Sequence, residues 1–541
     1  MSIKKTGQVF TPDYIIDMIL DTIGYVGPDI INKKIMEPSF GDGRILYKII
    51  NRLISACEKE GMDSYKTALV ISNNIYGIEL NTALYHKVIT EISAYLESKL
   101  GYFKDINLYC CDTLKCYKDF NDFDFVVGNP PYVNIHNVKE REVLREFYFT
   151  KNGMSDTYLA FFQAGLNMLS DSGKLCFITP SAWMFNKSGE NMRKTVSRFY
   201  DSEMLWKTPC GNSYLSKIID FGHKQVFDGF STYTSITLLD MNSVYDEFVE
   251  YKRYDEENYR KINYKDLWIG DRYCFDSFEN VIKYRDIYAT SYDGCCAVKN
   301  GYATLCDNFF IDNKEMPDNP FMIDVYKAST GEKYKCFYPY DSDGKPLPQK
   351  ILMEEKDMWK YIEENKERLL NRATDAGIPF YCFGRTQGLS ETNKKKFLIS
   401  SIVKNKDDIR ITECPTGSGV YGGLYILPIC SDCDLDFLKR VLISDDFISY
   451  VKSLGLLKNG GYYTFTSVAL KKYLNYAYIK EKITIGSKAK YIFYKMKGAY
   501  EYVTVTATEE TEEGLTFQAQ TDDNIPVVFK IKDIGNSIEI I

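Results

Sequence analysis

The residues best suited to do chemistry in this chain are Asn129-Pro130-Pro131-Tyr132. They follow Phe123-Asp124-Phe125-Val126-Val127-Gly128, a short apolar, β-branched run that predicts a buried strand. Neither proline has a backbone N–H, and both fix φ. The strand's carboxyl end is therefore a rigid open turn carrying an amide side chain, bare carbonyls and an aromatic ring. Ligands of open α/β sheets bind at that end of the strands. The Asn129 side-chain oxygen and the Pro130 carbonyl are two acceptors that can hold a planar exocyclic NH2 group. An aromatic amine is a poor nucleophile because its lone pair is delocalised into the ring. Two acceptors on its hydrogens favour the pyramidal, nucleophilic form, and Tyr132 can stack on the ring that bears it. The pattern suits an amino group on a flat heterocycle, such as adenine N6. It also reads as an ordinary Asn-Pro turn after a strand, and the rest of the chain decides between the two.

Four stretches upstream have the right form to stand beside that turn. Thr11 or Asp13 can cap an amphipathic helix from Tyr14 to about Ile23, after the stretch Thr6-Gly7-Gln8-Val9-Phe10. Lys34-Ile35-Met36-Glu37-Pro38-Ser39-Phe40-Gly41-Asp42-Gly43 then predicts a short strand and a Gly-rich turn, leading into a helix from Ile45 to about Lys59. This is the layout of a nucleotide-binding first βα unit, with two glycines and without the GxGxxG dinucleotide fingerprint. A second strand, about Asn74 to Ile78, ends at Glu79. An acid there suits two ribose hydroxyls, although it lies farther from the glycines than the usual ~20 residues. A third strand, Ile106 to Cys111, ends at Asp112, which can accept a hydrogen bond from an adenine amino group or cap a helix.

In order, Gly-Gln-Val-Phe-Thr-Pro, Glu-Pro-Ser-Phe-Gly-Asp-Gly, Gly-Ile-Glu-Leu, Cys-Asp-Thr-Leu and Asn-Pro-Pro-Tyr occupy Gly7 to Tyr132. This series resembles the N6-adenine DNA methyltransferases of the gamma order, the TaqI-like group of restriction-modification systems. Each motif is loose by itself; five in the right order are specific. The resemblance implies that Thr11, Pro12, Glu37, Phe40, Gly41, Asp42 and Gly43 contact S-adenosylmethionine, with Glu79 on the ribose and Asp112 on the adenine ring. It implies Asn129, Pro130 and Tyr132 as the catalytic group, with Asn129 also bordering the cofactor. The helix beginning at Ser155-Asp156-Thr157 resembles the next motif, which would bring Asp156 and Phe161 to the cofactor pocket. A helix cap and a core residue are the competing readings of those two. By the same resemblance Phe227 packs against an extruded base opposite Tyr132, with a core phenylalanine as the alternative.

The chain has 541 residues, enough for two or three domains, and a globular composition with 45% hydrophobic and 26% charged residues. No apolar run approaches the roughly 20 residues of a membrane span, and no signal core follows Met1-Ser2-Ile3-Lys4-Lys5. The expectation is a protein of the bacterial cytosol, nucleoid-associated, with no membrane partner. The chain starts directly at the cofactor motifs, so no nuclease domain is expected upstream. Fifteen cysteines are scattered among only three histidines, and Cys110-Cys111 and Cys295-Cys296 are adjacent pairs. Cys430 and Cys433 form a lone CxxC with no second pair or His cluster nearby in sequence, so reduced thiols and no metal are expected. A net charge of −7 argues against indiscriminate coating of nucleic acid and leaves room for a local basic cleft.

From about residue 250 the βα alternation stops and Tyr, Lys and Asn become frequent. Arg385 and Gln387 sit beside Phe380, Tyr381 and Phe383, side chains that can read guanine and adenine or stack. Lys394-Lys395-Lys396 and Lys471-Lys472 can meet phosphates or simply face solvent. Leu457 to Phe465, with Lys458 and Tyr462, resembles a segment recurrent near the end of this family's recognition domain. Residues 491–541 alternate apolar and polar and predict a small β appendage. The expected architecture is α/β: a doubly wound, Rossmann-like class I methyltransferase domain over 1–245, then a mixed α/β target-recognition domain over 246–490. DNA would lie between the two. The expected protein is a monomeric adenine-specific DNA methyltransferase acting on double-stranded DNA, with a separately encoded restriction endonuclease as partner. The alternatives are a methyltransferase for RNA or for a protein glutamine amide, and a non-catalytic DNA-binding specificity protein.

Overall fold

The computed structural model describes residues 10–101, 105–138, 141–152, 155–198, 212–227, 232–492 and 500–540. The stretch Thr6 to Val9 lies outside them. The chain forms two compact units, Met1–Asp276 and Ser277–Ile541.

The first unit is built on a nine-stranded sheet. Its strands are β1 (Ile35–Glu37), β2 (Ile75–Glu79), β3 (Asn107–Cys110), β4 (Phe123–Gly128), β5 (Leu169–Pro180), β6 (Leu215–Asp220), β7 (Thr234–Asp240), β8 (Phe248–Arg253) and β9 (Arg260–Asn263). Their order is β3-β2-β1-β4-β5-β7-β6-β8-β9. β1 through β5 run parallel, and β7 pairs antiparallel with both β5 and β6. The parallel strands are buried on both faces, and side-chain alternation divides them between two cores. Ile35, Val127, Cys176 and Ile178 pack under Ile15, Ile19, Ile49 and Leu53 of the helices Asp13–Ile23 and Arg44–Lys59. Met36, Val126, Leu175 and Phe177 face Leu159 and Phe162 of the helix Thr157–Met168. Strand order reverses between β1 and β4, so the carboxyl ends of those two strands flank the crevice where such sheets bind ligands.

The sheet does not stop at residue 245. β8 pairs with β6, with Lys217 opposite Glu250 and their side chains 2.8 Å apart, and β9 pairs with β8. Arg193, wholly buried, donates from Nε to Asp271 O at 2.9 Å, and the Tyr273 hydroxyl lies 2.7 Å from Ser197 Oγ. These ties carry the first unit to Asp276, past the expected boundary.

The second unit holds a four-stranded antiparallel sheet of Cys296–Asn300, Leu424–Pro428, Lys396–Ile399 and Ile411–Cys414. Beside it in the same unit lie the helices Leu435–Leu442, Asp445–Ser453 and Ser467–Lys482. The expected β appendage is a five-stranded sheet that already begins at Lys488–Ile492. It is tied to this unit by Leu515 N, which donates to Asp286 Oδ2 at 2.7 Å. Among the described residues no helix is long and apolar enough to cross a membrane.

Candidate active site

Three acids and the Asn-Pro-Pro-Tyr turn converge at the carboxyl edge of the parallel strands. Glu37 ends β1, Glu79 ends β2, Asp112 follows β3 and Asn129 follows β4.

The Gly-rich turn after β1 is built by backbone geometry. Phe40 N donates to Ile78 O at 3.0 Å, and Gly43 N donates back to Phe40 O at 2.8 Å. Gly43 has φ +81°, and a Cβ there would stand 2.7 Å from Val88 Cγ1, so both conformation and packing require glycine. Gly43 caps the 16-residue helix Arg44–Lys59, whose N-terminus favours negative charge. Asp42 pairs with Arg44 Nε at 2.9 Å. Glu79 Oε2 accepts from Gly41 N at 2.9 Å and Oε1 from Asn81 N at 2.7 Å. Each oxygen keeps a second lone pair, which suits a vicinal diol. Glu37 is 1% exposed, and its Oε2 and the nearby Ser39 Oγ are buried with no hydrogen-bond partner. Burial, with Asp42 and then Glu79 nearby, pushes the Glu37 carboxyl well above the usual range.

Asn129 is fixed from both sides. Its Nδ2 donates to Thr11 Oγ1 at 3.1 Å, which joins the start of the first helix to the end of β4. Its Oδ1 accepts from the Tyr132 hydroxyl, which also lies 3.0 Å from Ile178 O. Pro12 does its work through the backbone: its carbonyl accepts from Ile15 N at 3.0 Å and Ile16 N at 3.1 Å. The Tyr132 ring meets Phe227 edge-on, with centroids 6.4 Å apart and planes at 61°, and Tyr158 at 6.3 Å and 85°. A base stacked between two parallel rings needs about 7 Å, two van der Waals layers. Tyr132 must therefore turn away from Asn129 to admit one.

Three further expected cofactor contacts have protein neighbours of their own. Asp156 Oδ1 accepts from Asn134 Nδ2 at 3.1 Å, and the side chain makes no cap bond to its own helix. Phe161 is buried in the core beneath the sheet. Asp112 caps the short helix Thr113–Cys116 through Leu114 N at 3.1 Å. The residues that hold the Asn-Pro-Pro-Tyr turn carry little signal in the sequence. Thr157 Oγ1 donates to Pro131 O and accepts from Val133 N at 3.1 Å, and Thr157 N donates to Val133 O at 2.9 Å. Thr113 Oγ1 donates to Pro38 O at 2.5 Å. The only sequence signal was a Thr directly after an acid at a helix start.

The expected DNA-reading residues divide. Arg385 Nη1 donates to Asp375 Oδ1 at 2.8 Å, and Gln387 Nε2 donates to Gly301 O at 2.5 Å, so both are engaged within the unit. Lys396 does not face phosphate: it is buried and donates to the carbonyls of Glu391, Thr392 and Lys394. Lys471 pairs with Asp293 at 2.8 Å. Lys458 and Tyr462 are exposed and directly opposite each other on a small hairpin.

Residues 63–227 match the family model of the Eco57I restriction-modification methylase. The type II methyltransferase M.BstVI of Geobacillus stearothermophilus is 32% identical over 211 residues, 37% of this chain and 38% of that protein. M.PaeR7I of Pseudomonas aeruginosa is 31% identical over 209 residues, 37% of this chain and 36% of that protein. The chain thus matches less than two-fifths of the length of either. M.AccI of Acinetobacter calcoaceticus is 22% identical over 480 residues, 82% of this chain and 80% of that protein. The type IIL restriction-modification enzyme MmeI, solved with DNA, superposes with TM-score 0.53 at 12% identity, over 86% of this chain and 68% of its own. The nuclease-deletion mutant of the type ISP enzyme LlaGI, solved with a DNA substrate mimic, gives TM-score 0.54 at 13% identity, over 88% and 46%. The resemblance read from the motifs is borne out: residues 63–227 match the methylase model of the Eco57I restriction-modification family, and the α/β fold is similar to that of restriction-modification enzymes.

Proposed function

We propose that the chain is a site-specific DNA methyltransferase that moves a methyl group from S-adenosylmethionine to N6 of an adenine extruded from double-stranded DNA. We place it within, or derived from, a restriction-modification system. The observation that carries this reading is the Asn129-Tyr132 turn at the end of β4, beside the strand-order reversal, with Glu37 and Glu79 closing the adjoining strands. Relatedness to type II methyltransferases supports DNA as the substrate. Lys458 and Tyr462 offer a cation and a ring for DNA contact, and Arg385 can read a base only by leaving Asp375.

The residues present fit S-adenosylmethionine. Glu79 offers acceptors for the ribose hydroxyls, and the partnerless Glu37 Oε2 offers one for an ammonium group. The glycine turn gives close backbone approach at a helix N-terminus. When bound, the cofactor supplies a methyl group on a sulfonium, a good leaving group. The chain's own task is positioning and polarisation. The target adenine leaves the stack. Its N6 hydrogens are accepted by Asn129 Oδ1 and Pro130 O once the Tyr132 hydroxyl withdraws. Thr11 holds the Asn129 amide in plane through its Nδ2. Held by Asn129 and Pro130, N6 would be poised to take the methyl group, with the S–C bonding pair left on the cofactor's sulfur. The extra proton on N6 then passes to water.

The test is modification-sensitive sequencing of DNA from a methylation-free host that expresses the chain, with Asn129→Ala as control. N6-methyladenine at one recurring short sequence, absent from the control, is the expected result. A chain that binds S-adenosylmethionine yet leaves every adenine unmodified would overturn the reading in favour of an RNA or protein amide substrate.

A further inference from the structure

The CxxC that stood alone in the sequence does not stand alone in the fold. Cys295, Cys296 and Cys433 are all buried, and their three Sγ atoms lie within 4.8 Å of one another. Strand pairing brings them together. Cys296 is opposite Pro428, so the chain leaving that strand turns over Cys295. Ile429 N and Cys430 N both donate to Cys295 O, at 2.9 and 3.3 Å, and Cys433 N donates to Cys430 O at 3.3 Å. Cys295 precedes the strand Cys296–Asn300, so pleat alternation does not force its side chain to the face opposite Cys296.

The cluster is braced from a third element. Asn475 on the helix Ser467–Lys482 is 1% exposed; its Oδ1 accepts from Cys295 N at 3.0 Å and its Nδ2 donates to Cys296 O at 3.3 Å. A buried amide committed to the backbone of two adjacent cysteines fixes the backbone from which both thiols project. Outer groups of this kind hold the ligands of metal sites in place. All three cysteines are free thiols.

We propose that Cys295, Cys296 and Cys433, completed by Cys430, form a structural zinc site that ties the strand Cys296–Asn300 to the turn before the helix Leu435–Leu442. Zinc bound by thiolates is tetrahedral with Zn–S near 2.3 Å, which places ligand sulfurs about 3.8 Å apart. The trio needs only a small contraction to reach that spacing. Soft thiolates select zinc over the hard divalent cations, and the spacing suits one ion rather than a multi-iron cluster. Cys430 is the natural fourth ligand because its backbone is already hydrogen-bonded to Cys295 and the CxxC spacing is that of a zinc knuckle. Each thiol that joins gives its proton to solvent. The inference is independent of the methyltransferase reading and replaces the expectation of a metal-free chain. The CxxC looked solitary in sequence because the cysteines meet only after the strands pair.

The experiment uses the full chain, purified reduced and dialysed against metal-free buffer, with elemental analysis and thiol titration. About one zinc per chain is expected, lost in Cys433→Ser and retained in Cys110→Ser. Cobalt exchanged into the wild-type chain should give a sulfur-to-cobalt charge-transfer band and intense tetrahedral d–d bands, weakened in Cys430→Ser. The cobalt spectrum decides the matter even if Cys433→Ser fails to fold. A folded, reduced wild-type chain with neither zinc nor the charge-transfer band would overturn the proposal. So would a metal-free chain short of two titratable thiols, which would point to a disulfide instead.

Discussion

At the scale of single residues, the site is held in a closed arrangement by its own side chains. The Tyr132 hydroxyl occupies Asn129 Oδ1, the acceptor that the proposed reaction needs. Freeing it costs one hydrogen bond, about 0.5–1.5 kcal/mol net, before a base can be held. Tyr132→Phe keeps the ring and removes that bond. It should lower the KM for DNA on the order of fivefold, the equivalent of about 1 kcal/mol, with kcat little changed. Steady-state kinetics on a cognate duplex would check this, and a raised KM would show that the hydroxyl serves the substrate instead. Glu37 gives a prediction about pH. The unfolded carboxyl ionises near pH 4.3, whereas burial holds the folded one protonated to much higher pH. Below that range both states carry the proton and there is no penalty. As pH rises through it the unfolded chain ionises and the folded chain does not, so stability is lost until the folded pKa is passed. Glu37→Gln removes this loss. Its melting temperature should exceed that of the wild type by an amount that grows as pH rises from about 4.3 towards the raised folded pKa, about 2–4 °C for each kcal/mol gained, while cofactor affinity falls. A constant difference across that range would remove Glu37 as the titrating group.

At the scale of elements, the Asn-Pro-Pro-Tyr turn is only as rigid as the helix start that grips it. Thr157 joins the helix Thr157–Met168 to Pro131 and Val133 with one hydroxyl and one backbone N–H. Thr157→Val keeps the shape and cuts both hydroxyl bonds. Since a displacement of about 1 Å can cost on the order of 100-fold in rate, kcat should fall tenfold or more. The dissociation constant for S-adenosylmethionine, read by calorimetry, should hold; an equal loss in both would make Thr157 a general stabiliser. This grip was not legible in the sequence, because one threonine closes a contact between two loops. The elements themselves were legible. Phe123–Gly128 is the strand expected, and Asp13–Ile23 and Arg44–Lys59 fall within a residue of their predicted starts. Apolar periodicity and glycine placement are local properties of the chain. For Asp156 the motif position was legible, whereas its hydrogen bond from Asn134, placed beside it by the fold, was not.

At the scale of the whole molecule, the unread feature was where the first unit ends. β8 and β9 form one edge of the nine-stranded sheet, and edge strands carry charged side chains and a weaker apolar pattern. Phe248-Val249-Glu250-Tyr251-Lys252-Arg253 therefore looked like the start of another domain. In the fold Tyr251 donates its hydroxyl to Asp220 Oδ2 at 3.1 Å, and Trp268 Nε1 donates to Arg198 O at 2.8 Å. Tyr264 donates to Leu215 O at 2.5 Å. A fragment ending at residue 245 leaves β6 as a sheet edge and takes the Tyr251 hydroxyl from the buried Asp220 and the Asp271 carbonyl from the buried Arg193, the kind of loss that costs several kcal/mol. A fragment of residues 1–276 keeps every one of these bonds. The longer fragment should be soluble, melt cooperatively and bind S-adenosylmethionine with an affinity close to that of the full chain. The shorter one should aggregate or melt well below it. Because Lys458 and Tyr462 lie in the second unit, the longer fragment should nonetheless fail to methylate DNA at a defined sequence. Site-specific methylation by residues 1–276 alone would place target recognition within the first unit.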